Sequence, residues 1–171
     1  MQINSPHPFE ITSTAGGIAA SFTHLIVVPL DVVKTKIQLD PQIRTTSYAF
    51  RVIKGDIGAF RAATLGIAPT TIGYYLQGVC KYGLYDLFKE GPFSSIESGF
   101  LRSLISASCA EAIGDVFLAP FEAIRIHQVS KHKTCHRSFE AFKSIWIQEG
   151  WKGFYKGLIP LILKQVPYTA S

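Results

Sequence analysis

A run of apolar residues from Ala15 to Val28 ends in a proline, and charged residues follow it directly. Because proline removes one backbone hydrogen bond, Pro29 predicts a bend in a helix that continues beyond it. Asp31 and Lys34 are three residues apart, so they share one face of that helix. The pattern predicts a kinked helix whose end carries an acid–base pair.

The same pattern recurs ninety-one residues later. A second apolar run ends at Pro120, and Glu122 and Arg125 repeat the acid and the base. Two later pairs keep the same offset, namely Gly66 with Gly157 and Pro69 with Pro160. An offset shared by apolar runs, charges and turn residues indicates an internal repeat. We therefore divide the chain into a first repeat, residues 1–94, and a second repeat, residues 95–171.

Each repeat predicts two long helices separated by a short amphipathic one. The predicted helices are Ala15–Gln38, Ser47–Asp56 and Leu65–Lys89, then Phe100–Val129, Ser138–Gln148 and Gly157–Ser171. The long helices are expected to span a membrane and the short ones to lie at its surface. At about 1.5 Å per residue, the last fourteen residues reach only about 21 Å across a core of about 30 Å. The expected fold class is an all-α membrane protein, a truncated helical bundle of tandem repeats.

Composition favours a membrane protein, and the distribution of charge favours anionic partners. Hydrophobic residues make up 47% of the chain and charged residues only 17%. Of the 17 lysines and arginines, 13 lie in the segments Lys34–Arg61 and Arg125–Lys156, which follow the two prolines. Basic segments on one side of a membrane orient a protein and attract acidic lipid headgroups. Nucleic acid would account for the charge but not for the apolar runs, so no nucleic-acid partner is predicted.

The sequence carries no phosphate-binding loop and no paired nucleophile and base, so we predict neither an enzyme nor a cofactor. The three cysteines have no disulfide or zinc spacing. Four side chains that could bind a metal lie near one another in the sequence, namely His127, His132, Cys135 and His136. Basic residues interleave with them, so we predict a solvated loop there and no metal site.

Ionisable residues in and beside the apolar runs suggest ion movement. His24 and Asp31 are seven residues apart, so they lie on one side of their helix, and Glu111 and Glu122, eleven apart, do the same. Ionisable side chains inside a span commonly face a bundle interior or water and mark ion paths. Histidine titrates near neutral pH, so His24, Asp31 and Glu111 are candidates for relaying a proton. The alternative is that His24 and Glu111 are satisfied core residues.

The two proline motifs resemble the Pro-x-acid-x-x-base motifs of the mitochondrial carrier family. A later stretch fully matches the family's acid-Gly-x4-aromatic-base-Gly element, Glu149-Gly150-Trp151-Lys152-Gly153-Phe154-Tyr155-Lys156-Gly157. The first repeat is degenerate here, with Asp56 but no base before Gly66, and His127 stands where a base is expected. The resemblance covers Thr12–Ser171. It implies a six-helix barrel built from three repeats, one and a half of them present here, in the mitochondrial inner membrane.

Within the family, the chain is most similar to the phosphate carriers, as in Ser21-Phe22-Thr23-His24, Ala68-Pro69-Thr70 and Lys164-Gln165-Val166-Pro167-Tyr168-Thr169. The similarity implies symport of inorganic phosphate with a proton, and cardiolipin at the short matrix helices. It implies mid-membrane substrate contacts at Gly73, Gln77, Lys81, Lys164 and Gln165. It also implies a gate network of Pro29, Asp31, Lys34, Pro120, Glu122, Arg125, Asp86 and Lys89.

Several alternatives stay open from the sequence. The chain could be a truncated product that does not transport, or a related carrier for another small anion or a metal. Proton symport and hydroxide antiport give the same net flux. Lys164 could also extend to the membrane interface instead of binding substrate.

Overall fold

The computed structural model describes residues 8–135 and 137–170, and every regular element within them is a helix. The eight helices are α1 Pro8–Leu39, α2 Thr46–Ile57, α3 Ala59–Thr64, α4 Ile67–Glu90, α5 Gly99–Ser130, α6 Ser138–Glu149, α7 Trp151–Tyr155 and α8 Leu158–Ala170. The all-α prediction is confirmed. His136, considered above for a metal site, and Ser171 lie outside the described residues.

The two longest helices continue through their prolines, as predicted. α1 contains Pro29 and α5 contains Pro120, and each helix is 32 residues long. α1 begins at Pro8, which is seven residues earlier than expected. Proline is well tolerated in the first turn of a helix, where its missing N–H would have had no helical partner.

Each repeat has two short helices in place of the single one predicted. α2 is followed by α3, and α6 by α7, with one glycine between the members of each pair. Gly58 has φ of +88° and Gly150 has φ of +63°. Residues other than glycine rarely adopt a positive φ, and here the glycine ends one helix before the next one begins.

The long helices form one packed layer. α4 lies between α1 and α5, and α8 packs against α5. α1 and α4 approach closely at Gly78, where an added Cβ atom would lie 2.8 Å from Gly17 Cα and 2.9 Å from Gly16 O. Small residues at such a crossing let two helix backbones touch, as they do in membrane bundles.

The short helices pack onto one end of the layer through apolar clusters. One cluster joins α1 to α2 and α3 and includes Val28, Val32, Ile53, Ala62 and Leu65. A second cluster joins α5 to α6 and α7 and includes Ile124, Ala141, Ile145 and Phe154. The two repeats thus build the same local arrangement at the same end of the molecule.

The outer surface of the layer is apolar. Large hydrophobic side chains of α1 that are more than half exposed follow one face of the helix, namely Ile11, Ile18, Phe22, Ile26 and Leu30. Extended exposed apolar surface indicates contact with lipid or with another protein. Two described helices, Ile11–Leu39 and Gly99–Ser130, are long and apolar enough to cross a membrane. α4 is shorter, with 24 residues, and glycines, tyrosines, Gln77 and Lys81 interrupt its apolar sequence.

Candidate functional site

A buried arginine joins the two repeats at the end of the layer that carries the proline motifs. Arg125 is 6% exposed. Its Nη1 donates to Glu122 Oε1 at 3.0 Å, and its Nη2 lies 3.4 Å from Asp31 Oδ2. α5 therefore supplies one acid and the base, and α1 supplies the other acid. Three of the predicted gate residues form one ion-pair network.

The predicted pairing of Asp31 with Lys34 is not what the structure shows. Asp31 pairs with Arg125 of the second repeat, and Lys34 is exposed. A buried guanidinium needs counter-charges, whereas an exposed pair three residues apart gains little. Asp31 therefore contacts Arg125 and not Lys34, because the buried guanidinium requires a counter-charge.

Tyr74 connects this network to His24. The Tyr74 hydroxyl donates to Glu122 Oε1 at 3.1 Å, and its ring stacks on the His24 imidazole with centroids 3.5 Å apart. His24 Nδ1 lies 2.9 Å from the carbonyl oxygen of Ala20. A carbonyl only accepts, so Nδ1 carries the hydrogen that it donates to Ala20.

Two cavities meet beside this network. The smaller one has a volume of about 320 Å³ and is lined by Thr23, His24, Val27, Asp31, Tyr74, Lys164 and Gln165. The larger one, about 750 Å³, shares Asp31, Tyr74 and Lys164 with it and extends along Glu122 and Arg125. Lys164 and Gln165 of α8, expected to contact substrate, thus line the same cavity as His24 and Asp31 of α1, expected to relay a proton.

The other predicted substrate contacts are bound to acids. Lys81 Nζ lies 2.6 Å from Glu111 Oε2. The Gln77 amide nitrogen donates to Glu111 Oε1 at 2.8 Å and to Asp115 Oδ1 at 2.9 Å. Gln165 also donates to Asp115 Oδ1, at 3.2 Å. These side chains form a buried polar cluster between α4, α5 and α8, and Glu111 is a member of it.

Gly73 does not open space for a substrate. An added Cβ atom would lie 2.8 Å from Phe121 Cβ and 2.9 Å from Leu118 Cδ1, so Gly73 is packed against α5. The substrate contact predicted at Gly73 therefore lies at a position that α5 covers. Its missing side chain serves the contact between α4 and α5.

Asp86 and Lys89 lie away from the Arg125 network. Asp86 is twelve residues beyond Tyr74, which corresponds to about 18 Å along α4. α4 runs antiparallel to α1, with His24 beside Tyr74 and Gly16 beside Tyr82. Lys89 Nζ lies 5.3 Å from the centre of the Tyr85 ring. The prediction that they join one network with Asp31 is corrected, because helix direction carries them to the opposite end.

Outside the predicted spans, Asp56 ties the first repeat to the second. Its Oδ2 lies 2.8 Å from His132 Nε2 and its Oδ1 lies 3.1 Å from Lys133 Nζ. These hydrogen bonds, the one from His132 first, hold the pKa of Asp56 below its usual value. Lys156 lies 2.9 Å from Glu149 and lowers the pKa of that exposed acid in the same way. Among the described residues, no three metal-capable side chains are placed to hold an ion.

Sequence reasoning missed Asp115 and Tyr74. Asp115 is fully buried, and an acid inside an apolar run one turn after Glu111 was a usable signal. No sequence signal distinguishes Tyr74 from the neighbouring Tyr75. Only the rotation of α4 shows that Tyr74 faces His24 and Glu122.

A family model described as mitochondrial carrier protein matches residues 5–94 and 97–171. Mitochondrial substrate carrier family protein N of Dictyostelium discoideum is 41% identical over 98% of this chain and 58% of its own length. Solute carrier family 25 member 3 of Bos taurus is 36% identical over 94% of this chain and 46% of its own length. Mitochondrial phosphate carrier protein 3 of Arabidopsis thaliana is 34% identical over 99% of this chain and 47% of its own length.

The chain spans about half the length of the curated relatives it matches. The family model nevertheless covers almost all of its residues, in two consecutive matches. The chain belongs to the mitochondrial carrier family.

Proposed function

We propose that the protein transports inorganic phosphate together with a proton across the mitochondrial inner membrane, as a multi-pass carrier that works by alternating access. One observation carries the proposal. The smaller cavity brings a lysine and an amide, Lys164 and Gln165, to the same place as His24 and Asp31. The first two suit an anion, and the last two can exchange a proton.

The Arabidopsis relative is named mitochondrial phosphate carrier protein 3, which supports phosphate as the anion. A lysine ammonium binds phosphate as a point charge, and an amide can donate a hydrogen bond to a phosphate oxygen. The pair of Asp31 with Arg125 lines the larger cavity and joins two helices, so it suits a gate that opens and closes during transport. His24, Asp31 and Glu111 stay the candidates for coupling the proton.

Membrane placement is part of the proposal. The exposed faces of α6 and α7 carry aromatic side chains, among them Phe139, Trp146 and Trp151. Tryptophan concentrates at the boundary between headgroups and acyl chains. With the nearby lysines, this surface suits an acidic phospholipid such as cardiolipin. Quenching of tryptophan fluorescence by brominated cardiolipin, stronger than by brominated neutral lipid, tests this contact.

The transport proposal is tested with the full-length protein in liposomes. Labelled phosphate should enter when a pH gradient is imposed, and Lys164→Gln should abolish both net uptake and phosphate exchange. His24→Ala should abolish gradient-driven uptake without changing the amount of protein. Glu97→Gln, at an exposed acid between α4 and α5, is the control and should behave like the unmodified protein.

The result for each variant tests the role of one residue. Phosphate exchange that survives Lys164→Gln removes Lys164 from the substrate site, and unchanged coupling in His24→Ala removes that histidine from the proton path. Sulfate that competes as strongly as phosphate would favour another small anion as the substrate.

A further inference from the structure

Asp115 is a buried carboxyl group that the proposed phosphate site does not use. It lies on α5 with 0% of its surface exposed. Oδ1 accepts hydrogen bonds from Gln77 and Gln165. Oδ2 is buried and has no hydrogen-bond partner among the described residues. A carboxylate anion reaches such a position only at high cost, whereas a neutral carboxylic acid costs much less.

The surrounding charge is too small for two ionised acids. Glu111 lies one turn before Asp115, and Lys81 is 2.6 Å from Glu111. The two hydrogens of the Gln77 amide go to one acid each, so this amide holds both acids without neutralising either. One ammonium thus faces two carboxyl groups. Like charges one helical turn apart favour a proton on one of them.

The described side chains of α8 place no positive charge in contact with Asp115. Gln165 donates to Asp115 but is uncharged. Lys164, the next residue, is exposed and lines the smaller cavity. Since Lys81 contacts Glu111 directly, Asp115 is the acid that has no ion pair with a cation among the described residues.

We propose that Asp115 holds a proton in the folded protein and is one of the groups that carry the proton during transport, together with the candidates named above. Uptake forms an O–H bond at Oδ2 and breaks an O–H bond of a hydronium ion on one side of the membrane, which becomes water. Release breaks the bond at Oδ2 and forms an O–H bond to a water molecule on the other side, which becomes hydronium. Oδ2 is the oxygen that exchanges, because the two amides occupy Oδ1. The coupling to phosphate rests on the proposed function, but the protonated state does not.

Infrared spectroscopy of the full-length protein tests the protonated state without any transport. We expect a protonated-carboxyl stretch at neutral pH that shifts when aspartate is isotope-labelled at its carboxyl carbon. The band should vanish in Asp115→Asn and persist in Glu97→Gln. Labelling uses the unmodified protein, so the test does not depend on the variant folding. A spectrum without a protonated aspartate at neutral pH overturns the proposal, as does a band that survives in Asp115→Asn.

Liposomes test the coupling. Asparagine has the shape of the neutral acid, so Asp115→Asn should keep phosphate exchange while gradient-driven uptake falls about tenfold or more. Gradient-driven uptake at the unmodified rate in this variant overturns the coupling role. If the unmodified protein moves no phosphate, the proposed function fails, and the infrared result still decides whether Asp115 is protonated.

Discussion

Asp31 of the first repeat is paired with Arg125 of the second, with 3.4 Å between Oδ2 and Nη2. Glu122 completes the coordination of the same guanidinium from within α5. The contact joins two helices that otherwise touch each other only slightly, since α4 lies between them over most of their length. It therefore joins the two repeats directly, in addition to their packing through α4.

Removing the guanidinium should destabilise this end of the molecule. Arg125→Met leaves Asp31 and Glu122 without their shared cation and should cost about 3 kcal/mol. Lys34→Met, at an exposed cation one turn from Asp31, should change stability by less than about 0.5 kcal/mol. Thermal unfolding in detergent measures both. A double-mutant cycle should show coupling of Asp31 to Arg125 and none to Lys34, and the reverse result contradicts the pairing.

The hydroxyl group and the ring of Tyr74 should make separate contributions to the stability of the folded protein. Tyr74→Phe removes the hydrogen bond to Glu122 and should cost about 1 kcal/mol. Tyr74→Leu also removes the stack on His24 and should cost about 1 kcal/mol more. Tyr75→Phe, at a partly exposed neighbour, is the control for thermal unfolding. Equal losses in Tyr74→Phe and Tyr75→Phe would show that the Glu122 hydrogen bond contributes nothing.

The hydrogen bond between Asp56 and His132 should make the folded protein less stable as the pH falls into the acid range. Folding lowers the pKa of Asp56, so this group stabilises the folded state above its unfolded pKa. That contribution is lost as the pH falls through the lower folded pKa. Asp56→Asn should therefore be less stable than the unmodified protein at neutral pH, and the difference should shrink below about pH 4. Thermal unfolding across this pH range measures it, and a constant difference contradicts the linkage.

His132 should contribute more than Lys133 to the stability that the contacts with Asp56 provide. His132 is buried, and its two ring nitrogens lie 3.1 Å from Val129 O and 2.8 Å from Asp56. Lys133 has 68% of its side chain exposed, so its ion pair is screened by water. His132→Ala should lower the unfolding temperature at neutral pH clearly more than Lys133→Ala does. Equal effects would assign the link to surface charge alone.

Sequence patterns located the helices well because each helix depends on nearby residues. The apolar runs, the prolines and the glycine turns place α1, α2, α4, α5 and α6 within a few residues of their observed bounds, except at the start of α1. The contacts between helices depend on rotation and packing, which the pattern does not fix. The spacing predicts that Lys34 contacts Asp31, but in the structure Asp31 pairs with the buried guanidinium of Arg125.

The polar cluster shows the same limit. Glu111 and Gln77 were recognised separately, one as a proton group and the other as a substrate contact. Only the packing of α4 against α5 shows that they bind each other and Asp115. Gly73 and Lys164 occupy equivalent places in the two repeats, four residues after Pro69 and Pro160, but a residue's place in a repeat does not determine whether a neighbouring helix covers it.

The crossing of α1 and α4 should not tolerate a side chain at Gly78. An added Cβ atom would meet the backbone of α1, at Gly17 Cα and Gly16 O, and a backbone cannot move aside as a flexible side chain can. Gly78→Ala should therefore cost about 1–3 kcal/mol in thermal unfolding. Gly55→Ala is the matched control, because no atom lies within 4 Å of its added Cβ and alanine favours the α2 helix by about 0.5–1 kcal/mol. The two substitutions should shift stability in opposite directions, and a Gly78→Ala protein as stable as Gly55→Ala would mean that α1 and α4 do not touch there.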